Sequence, residues 1–204
     1  MAAPVAILDR DGTLIDVVRD EETGAISVAF HPAQIRLLSG VVEGLLSLQA
    51  SGFLLAIATN QPGPAKGQFS AAAVKRTNDA LLDQLGAQGV KIAALKACLH
   101  HPEGGPGGDA SLVGPCSCRK PKAGMLEELL AETKADRAGS WMIGDSRADL
   151  DAARAAKVGA ALVFATSRCE LCPLRDGPPG SPDVHGSNLR EIARGILAAT
   201  SGRS

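Results

Sequence analysis

Aromatic residues are scarce in this chain of 204 residues, which has no tyrosine, one tryptophan and four phenylalanines. Binders of single-stranded nucleic acid build stacking platforms from such rings, and this composition argues against one. An excess of either charge is missing too: 21 basic residues face 22 acidic ones, for a net charge of -1. General nucleic-acid and membrane-surface binders need a cationic footprint, so both classes are disfavoured, while local basic pockets stay possible. No apolar run approaches the roughly 20 residues of a spanning helix. The N-terminus also lacks the basic flank, apolar run and cleavage site of a secretory signal. The expectation is therefore a cytoplasmic protein with no membrane and no nucleic-acid partner. Five cysteines cannot all pair within one chain, and in a cytosolic setting they read as free thiols or metal ligands.

With 45% hydrophobic residues, mostly small aliphatics, the chain can bury one good core. Apolar runs alternate with helical patterns, as a parallel α/β sheet requires. The predicted strands are Val5 to Leu8, Phe53 to Ala58, Ile92 to Cys98, Trp141 to Ile143 and Ala160 to Phe164. Between them helices are expected at Val41 to Ala50, Ser70 to Leu85, Ala123 to Ala135 and Arg147 to Ala156, with a last one at Leu189 to Ala199. Ser70 and Asn188 are candidate caps, and Ser146 with Asp149 has the spacing of a capping box. Two segments break the alternation. The polar stretch Asp16 to Pro32 reads as a flap or short hairpin over a site, or as an ordinary surface loop, and the Gly/Pro-rich Arg175 to Gly186 reads as a loop or tail.

Chemistry gathers where the predicted strands end. The first strand stops at Asp9-Arg10-Asp11-Gly12-Thr13, the second at Thr59-Asn60-Gln61, and the fourth at Gly144-Asp145-Ser146. In a parallel sheet these carboxyl ends share one edge, where ligands bind. Hydrolysis of a phosphate monoester needs a nucleophile, an acid for the leaving oxygen, and cations for the phosphoryl group. Asp9 is the candidate nucleophile, and Asp11 the acid that later activates water. Asp9, Asp11 and Asp145 would repel one another without a hard cation, and Mg²⁺ suits oxygen ligands and phosphate. Thr59 and Asn60 offer hydroxyl, amide and backbone donors to phosphate oxygens, Gln61 completes that run, and Lys120 balances remaining charge.

Taken together, D-x-D-G-T, Thr59-Asn60, Lys120 and Gly144-Asp145 resemble the haloacid dehalogenase superfamily of phosphatases over roughly Val5 to Phe164. The nearest branch is that of the D-glycero-D-manno-heptose 1,7-bisphosphate and histidinol-phosphate phosphatases. The resemblance implies a Rossmann-like α/β domain and a Mg²⁺ site of Asp9, the Asp11 main-chain carbonyl and Asp145. It also implies an Arg119 that reaches the substrate beside Lys120. The chain is accordingly expected to be one phosphatase domain over 1–204, with a core at about 4–166, a zinc loop at 98–118 and an extension at 167–204.

A second constellation narrows the branch. Cys98-Leu99-His100, a Gly-rich loop from His101 to Pro115, and Cys116-Ser117-Cys118 bring three thiolates and an imidazole, which suit tetrahedral, structural Zn²⁺. His101 competes as a ligand, and the C-x-H form of the family favours His100. The separate Cys169 and Cys172 are expected to be unpaired thiols.

The expected partner is a small phosphorylated molecule. Thr59-Asn60-Gln61-Pro62-Gly63-Pro64-Ala65-Lys66-Gly67-Gln68-Phe69 resembles the heptose enzymes, while Asp9 to Ile15 leans toward the histidinol side. The favoured substrate is the heptose bisphosphate, with histidinol phosphate as the alternative; a nucleic-acid end phosphatase or an inactive zinc scaffold fits less well. A second phosphate wants another cationic site, for which Lys66, Arg119 and Arg19 are candidates. Many relatives carry a basic residue where this chain has Ser146, and Arg147 is a possible substitute. Nothing in the sequence fixes an oligomeric state, and a monomer is compatible with it.

Overall fold

The computed structural model describes residues 2–22, 24–164 and 181–201. Strands β1 (Val5–Leu8), β4 (Leu54–Asn60), β5 (Ile92–Cys98), β6 (Trp141–Gly144), β7 (Gly159–Val163) and β8 (Val184–Gly186) form a sheet in the order β5-β4-β1-β6-β7-β8. Every neighbouring pair is parallel. The intervening helices are α1 (Val41–Ala50), α2 (Ala71–Ala87), α3 (Gly124–Thr133), α4 (Arg147–Ala156) and α5 (Leu189–Ser201). This is the Rossmann-like α/β architecture expected from the sequence.

Alternation along β1 explains why both faces are covered. Ala6 and Leu8 point into one apolar layer with Leu45, Leu81, Leu85, Ile192 and Ile196 from α1, α2 and α5. Val5 and Ile7 point into the other, with Met125, Leu126, Leu129 and Leu150 from α3 and α4. A strand buried on both sides reads as a continuous apolar run, which is why β1 was visible in the sequence. Expected caps also form: Ser70 Oγ accepts from the Ala73 N–H at 3.1 Å, and Asn188 Oδ1 from the Glu191 N–H at 3.1 Å.

The polar stretch after β1 contains a hairpin of β2 (Val18–Arg19) and β3 (Ile26–Ser27), paired antiparallel. The C-terminal segment differs from its expected character. Val184 to Gly186 was read as loop, yet it forms β8, paired to β7 from Ala161↔Val184 to Val163↔Gly186. Three residues amid Gly and Pro carry no strand signal of their own. Tertiary contacts fix them: Asp183 accepts from the Ala160 N–H at 2.9 Å and pairs with Arg154 at 2.7 Å. Helix α5 buries Leu189, Ile192, Ala193 and Ile196 against α1. Gly44 of α1 permits this approach, because a Cβ there would lie 2.6 Å from the Leu189 carbonyl oxygen. The described part of 167–204 is thus continuous with the sheet and core, while Cys169 and Cys172 lie outside the described residues.

If α5 is integral, Ile192→Ala should lower the unfolding free energy by about 2–5 kcal/mol, as large-to-small core changes do. A urea denaturation curve matching the parent would show α5 to be dispensable.

Candidate active site

The sheet order places the ends of β5, β4, β1 and β6 side by side, and with them Cys98, Asn60, Asp9 and Asp145. The Asp9 N–H donates to the Ile143 carbonyl at 2.8 Å, which locks the end of β1 to that of β6. A cleft of about 270 Å³ opens there, lined by Asp9, Asp11, Thr59, Asn60, Lys120 and Asp149 and roofed by Ile26, Ser27 and Val28 of the hairpin. The expected flap therefore lies over the site.

Lys120 is its centre. Only 3% exposed, its Nζ lies 2.8 Å from Asp9 Oδ1 and 2.7 Å from Asp149 Oδ1, and donates to the Ala58 carbonyl at 2.7 Å. Burial opposes the ammonium, but Asp9 and Asp149 outweigh it and raise the Lys120 pKa above its ordinary value. Asp9 itself is pushed up to about 7, first by desolvation, with Asp149 and Asp145 adding to the rise and Lys120 opposing it. Carboxylate oxygens of Asp9, Asp145 and Asp149 come within 4.8 Å of one another. When all three are ionised, the one Lys120 ammonium leaves a net charge of two negative, which one divalent cation neutralises. Hard oxygen donors and this charge fit Mg²⁺.

Asp149 was anticipated only as a helix-capping residue, and it does accept from the Ser146 N–H at 3.1 Å. Its other oxygen holds Lys120, a role that no local pattern reveals. Ser146 lines the cleft, whereas Arg147 pairs with Asp151 on the exposed face of α4 at 2.8 Å. Arg147 thus does not stand in for a missing basic residue.

Two candidate phosphate ligands take other positions. Gln61 is fully buried, and its Nε2 donates to Asp11 Oδ2 at 2.7 Å and Thr59 Oγ1 at 2.9 Å. Its N–H donates to the Cys98 carbonyl at 2.7 Å, so it braces Asp11 and the β4–β5 junction instead of meeting a ligand. The Asn60 side chain is closed onto the Lys120 main chain, donating to its carbonyl at 3.0 Å and accepting from its N–H at 3.1 Å. Its amide is therefore committed to placing Lys120. Thr59 does line the cleft, with its hydroxyl hydrogen left to donate.

On the β5 side, Cys98, His100, Cys116 and Cys118 bring their ligand atoms within 4.8 Å of one another. Cys98 Sγ lies 3.8 Å from Cys116 Sγ and 3.8 Å from His100 Nδ1, and Cys118 Sγ lies 3.4 Å from His100 Nδ1. Tetrahedral zinc with Zn–S near 2.3 Å separates two thiolates by about 3.8 Å; Cys98 and Cys116 meet that spacing, whereas Cys98 and Cys118 lie 2.9 Å apart, so the residue types fit the ion and the Cys118 sulfur would move outward to receive it. His101 is excluded as the imidazole ligand, because its Nδ1 accepts from the Gly104 N–H at 3.0 Å. The glycines of the loop let its backbone lie on the segment after β4: a Cβ on Gly108 would meet the Ala65 carbonyl and one on Gly105 would lie 2.6 Å from that of Lys66. Lys66 and Arg119 consequently flank His101, whose protonation is disfavoured first by desolvation and then by these two cations. Arg119 is also tied to the loop through Nη1, which donates to the His100 carbonyl at 3.4 Å.

Known proteins share similarity with this sequence and fold. Residues 117–191 match the HAD-hydrolase-like family model. The chain is 36% identical to the D-glycero-beta-D-manno-heptose-1,7-bisphosphate 7-phosphatase of Rhodopseudomonas palustris, over 76% of this chain and 80% of that protein. It is 34% identical to the enzyme of the same name from Vibrio cholerae, over 97% and 98%. A Legionella pneumophila protein, the histidine biosynthesis bifunctional protein HisB, is 33% identical over 71% of this chain, a match that spans 37% of that protein. Among solved structures, the D,D-heptose 1,7-bisphosphate phosphatase of B. bronchiseptica complexed with magnesium and phosphate superposes with a TM-score of 0.74 at 28% identity, covering 96% and 99%. Fold and site define a HAD-like hydrolase. The chain belongs to this haloacid dehalogenase-like family, and within it to the group formed by the heptose-1,7-bisphosphate 7-phosphatases.

Replacing Cys118 by Ser should reduce bound zinc from about one ion per chain to near zero and lower the melting temperature. Elemental analysis of the purified variant checks this; unchanged zinc content would remove Cys118 from the ligand set.

Proposed function

We propose that this chain is a Mg²⁺-dependent phosphatase that removes the 7-phosphate of D-glycero-β-D-manno-heptose 1,7-bisphosphate through an aspartyl-phosphate on Asp9. The observation that carries the reading is the pairing of Asp9 with buried Lys120 in a cleft that continues past Ser27 and Val28 into a cavity of about 400 Å³ bearing Lys66. One phosphate is processed at Asp9, and the other meets the cations at the edge of the zinc loop.

Asp9 attacks phosphorus while the bond to the leaving oxygen breaks, and Asp11 passes a proton to that oxygen. The Lys120 ammonium, held by Asp149 and the Ala58 carbonyl, balances charge on the phosphoryl group, and the Thr59 hydroxyl donates to one of its oxygens. Asp11 then takes a proton from water as the water attacks phosphorus, releasing phosphate and restoring Asp9. Mg²⁺, when held by Asp9, Asp145 and the Asp11 carbonyl, neutralises the carboxylates and polarises the phosphoryl oxygens. Zinc held by Cys98, His100, Cys116 and Cys118 would be structural, because the protein would supply all four ligands.

The charge beside the site discriminates against histidinol phosphate. That substrate carries an amine, which a cavity bearing Lys66 repels, whereas a second phosphate is attracted. A cytoplasmic setting suits the reading, since it keeps the three loop thiols reduced. No described helix is long and apolar enough to cross a membrane.

Mg²⁺-dependent phosphate release should favour the heptose bisphosphate over histidinol phosphate, yield one phosphate per molecule, and vanish in Asp9→Asn. A reversed preference would transfer the enzyme to the histidinol reaction. Lys66→Ala should raise KM for the bisphosphate by about tenfold or more, the scale of one lost charge-assisted hydrogen bond, with kcat little changed. A KM equal to the parent's would place the second phosphate elsewhere.

A further inference from the structure

The Asp11 carboxylate is surrounded by donors. Oδ1 accepts from the Ala29 N–H at 3.0 Å and from Arg10 Nη2 at 3.2 Å; Oδ2 accepts from Arg10 Nε at 2.9 Å and from Gln61 Nε2 at 2.7 Å. A carboxylate offers about four acceptor positions, so these contacts fill them, and a proton carried by Asp11 takes the place of one, the longest being that from Arg10 Nη2 at 3.2 Å.

Arg10 supplies two of the four bonds. It is 0% exposed and sits between Asp9 and Asp11 in sequence, yet it is absent from the lining of the cleft. Its remaining hydrogen bonds run to distant parts of the fold: Nη1 donates to Asn78 Oδ1 on α2 at 2.7 Å, and Nη2 to the Ala29 carbonyl, just beyond β3, at 2.6 Å. Burying a guanidinium is costly unless it is paired and fully hydrogen-bonded, and here it is both. Its rotamer is determined from three sides, so the fork it presents to Asp11 is fixed in advance.

We propose that Arg10 is a positioning residue for the acid–base step, anchored by Asn78 and the Ala29 carbonyl so that its guanidinium holds the Asp11 carboxylate. This rests on the reading of Asp11 as acid and base given above. In the first half-reaction the Asp9–phosphorus bond forms, the bond to the leaving oxygen breaks, and the Asp11 proton goes to that oxygen. The Arg10 fork keeps the Asp11 carboxylate in place through that transfer. In the second half-reaction that carboxylate takes the proton of the attacking water. A group held in its reacting geometry needs little reorganisation when the proton moves, and Arg10 fixes that geometry without touching substrate.

The test compares leaving groups. The ratio kcat/KM reports events up to leaving-group departure; p-nitrophenolate departs unaided, whereas a sugar alkoxide needs the proton. For Asp11→Asn, kcat/KM should fall by about 10²–10⁴-fold on the heptose bisphosphate and far less on p-nitrophenyl phosphate. Arg10→Lys should show the same selectivity at about tenfold or more, with Arg10→Met worse, because lysine restores one donor of the fork and methionine none. Asn78→Ala keeps Arg10 and loosens one anchor, so it should give a smaller loss with the same selectivity even where Arg10 variants fold poorly. Equal losses on both substrates in folded Arg10→Lys and Asn78→Ala protein, or no loss, would overturn the proposal. An Asp11→Asn protein without leaving-group selectivity would instead overturn the assignment of Asp11, and the proposal with it.

Discussion

The buried Lys120 ammonium is the contact on which the site depends. It meets two carboxylates from different parts of the chain, Asp9 after β1 and Asp149 in α4, and reaches the Ala58 carbonyl of β4. Three elements converge on one nitrogen, so the separation of the strand ends is tied to charge pairing as well as to the ladder. Breaking such a pair from one side typically costs about 3–5 kcal/mol, because it leaves a buried charge uncompensated. Asn60 guards the geometry by clasping the main chain of Lys120 through both atoms of its amide.

The zinc loop extends that logic outward. Cys118 precedes Arg119 and Lys120 directly, so the metal-ligand cluster and the Asn60 clasp bracket the two cations within three residues. On its other side the loop lies against the backbone of Ala65 and Lys66, a contact that only glycine permits at 105 and 108. A Gly/Pro-rich stretch with little apolar surface to bury cannot order itself, and here a four-residue ligand cluster and backbone contact supply the order. The segment bearing Arg119 and Lys120 is thereby attached to the sheet at two points.

How legible this was depends on the kind of signal. The strands that carry Asp9, Thr59 and Asp145 were readable because strands buried on both faces form continuous apolar runs. The candidate metal-ligand cluster was readable because thiolates and an imidazole at short spacing suit one tetrahedral ion. Gln61 was misjudged because a glutamine beside a site looks like a ligand until its burial is known. Arg10 stood in plain view within the D-R-D motif and still gave no hint that its side chain turns away from the cleft toward Asn78, 68 residues on. β8 was missed because three residues carry too little pattern to outweigh neighbouring Gly and Pro.

By itself, then, the sequence determined the α/β class and marked the residues proposed for the chemistry and the four-residue candidate ligand set, since each is written in residue type and short-range spacing. Tertiary structure alone decided which polar residues line the cleft and which brace those that do. It turned Gln61 and Asn60 inward, gave Asp149 to Lys120, brought Lys66 beside Arg119 and drew the last strand and helix into the core. The reason is physical: a polar side chain buried away from water must find its partner wherever the fold supplies one, and that partner is set by distance in space rather than along the chain.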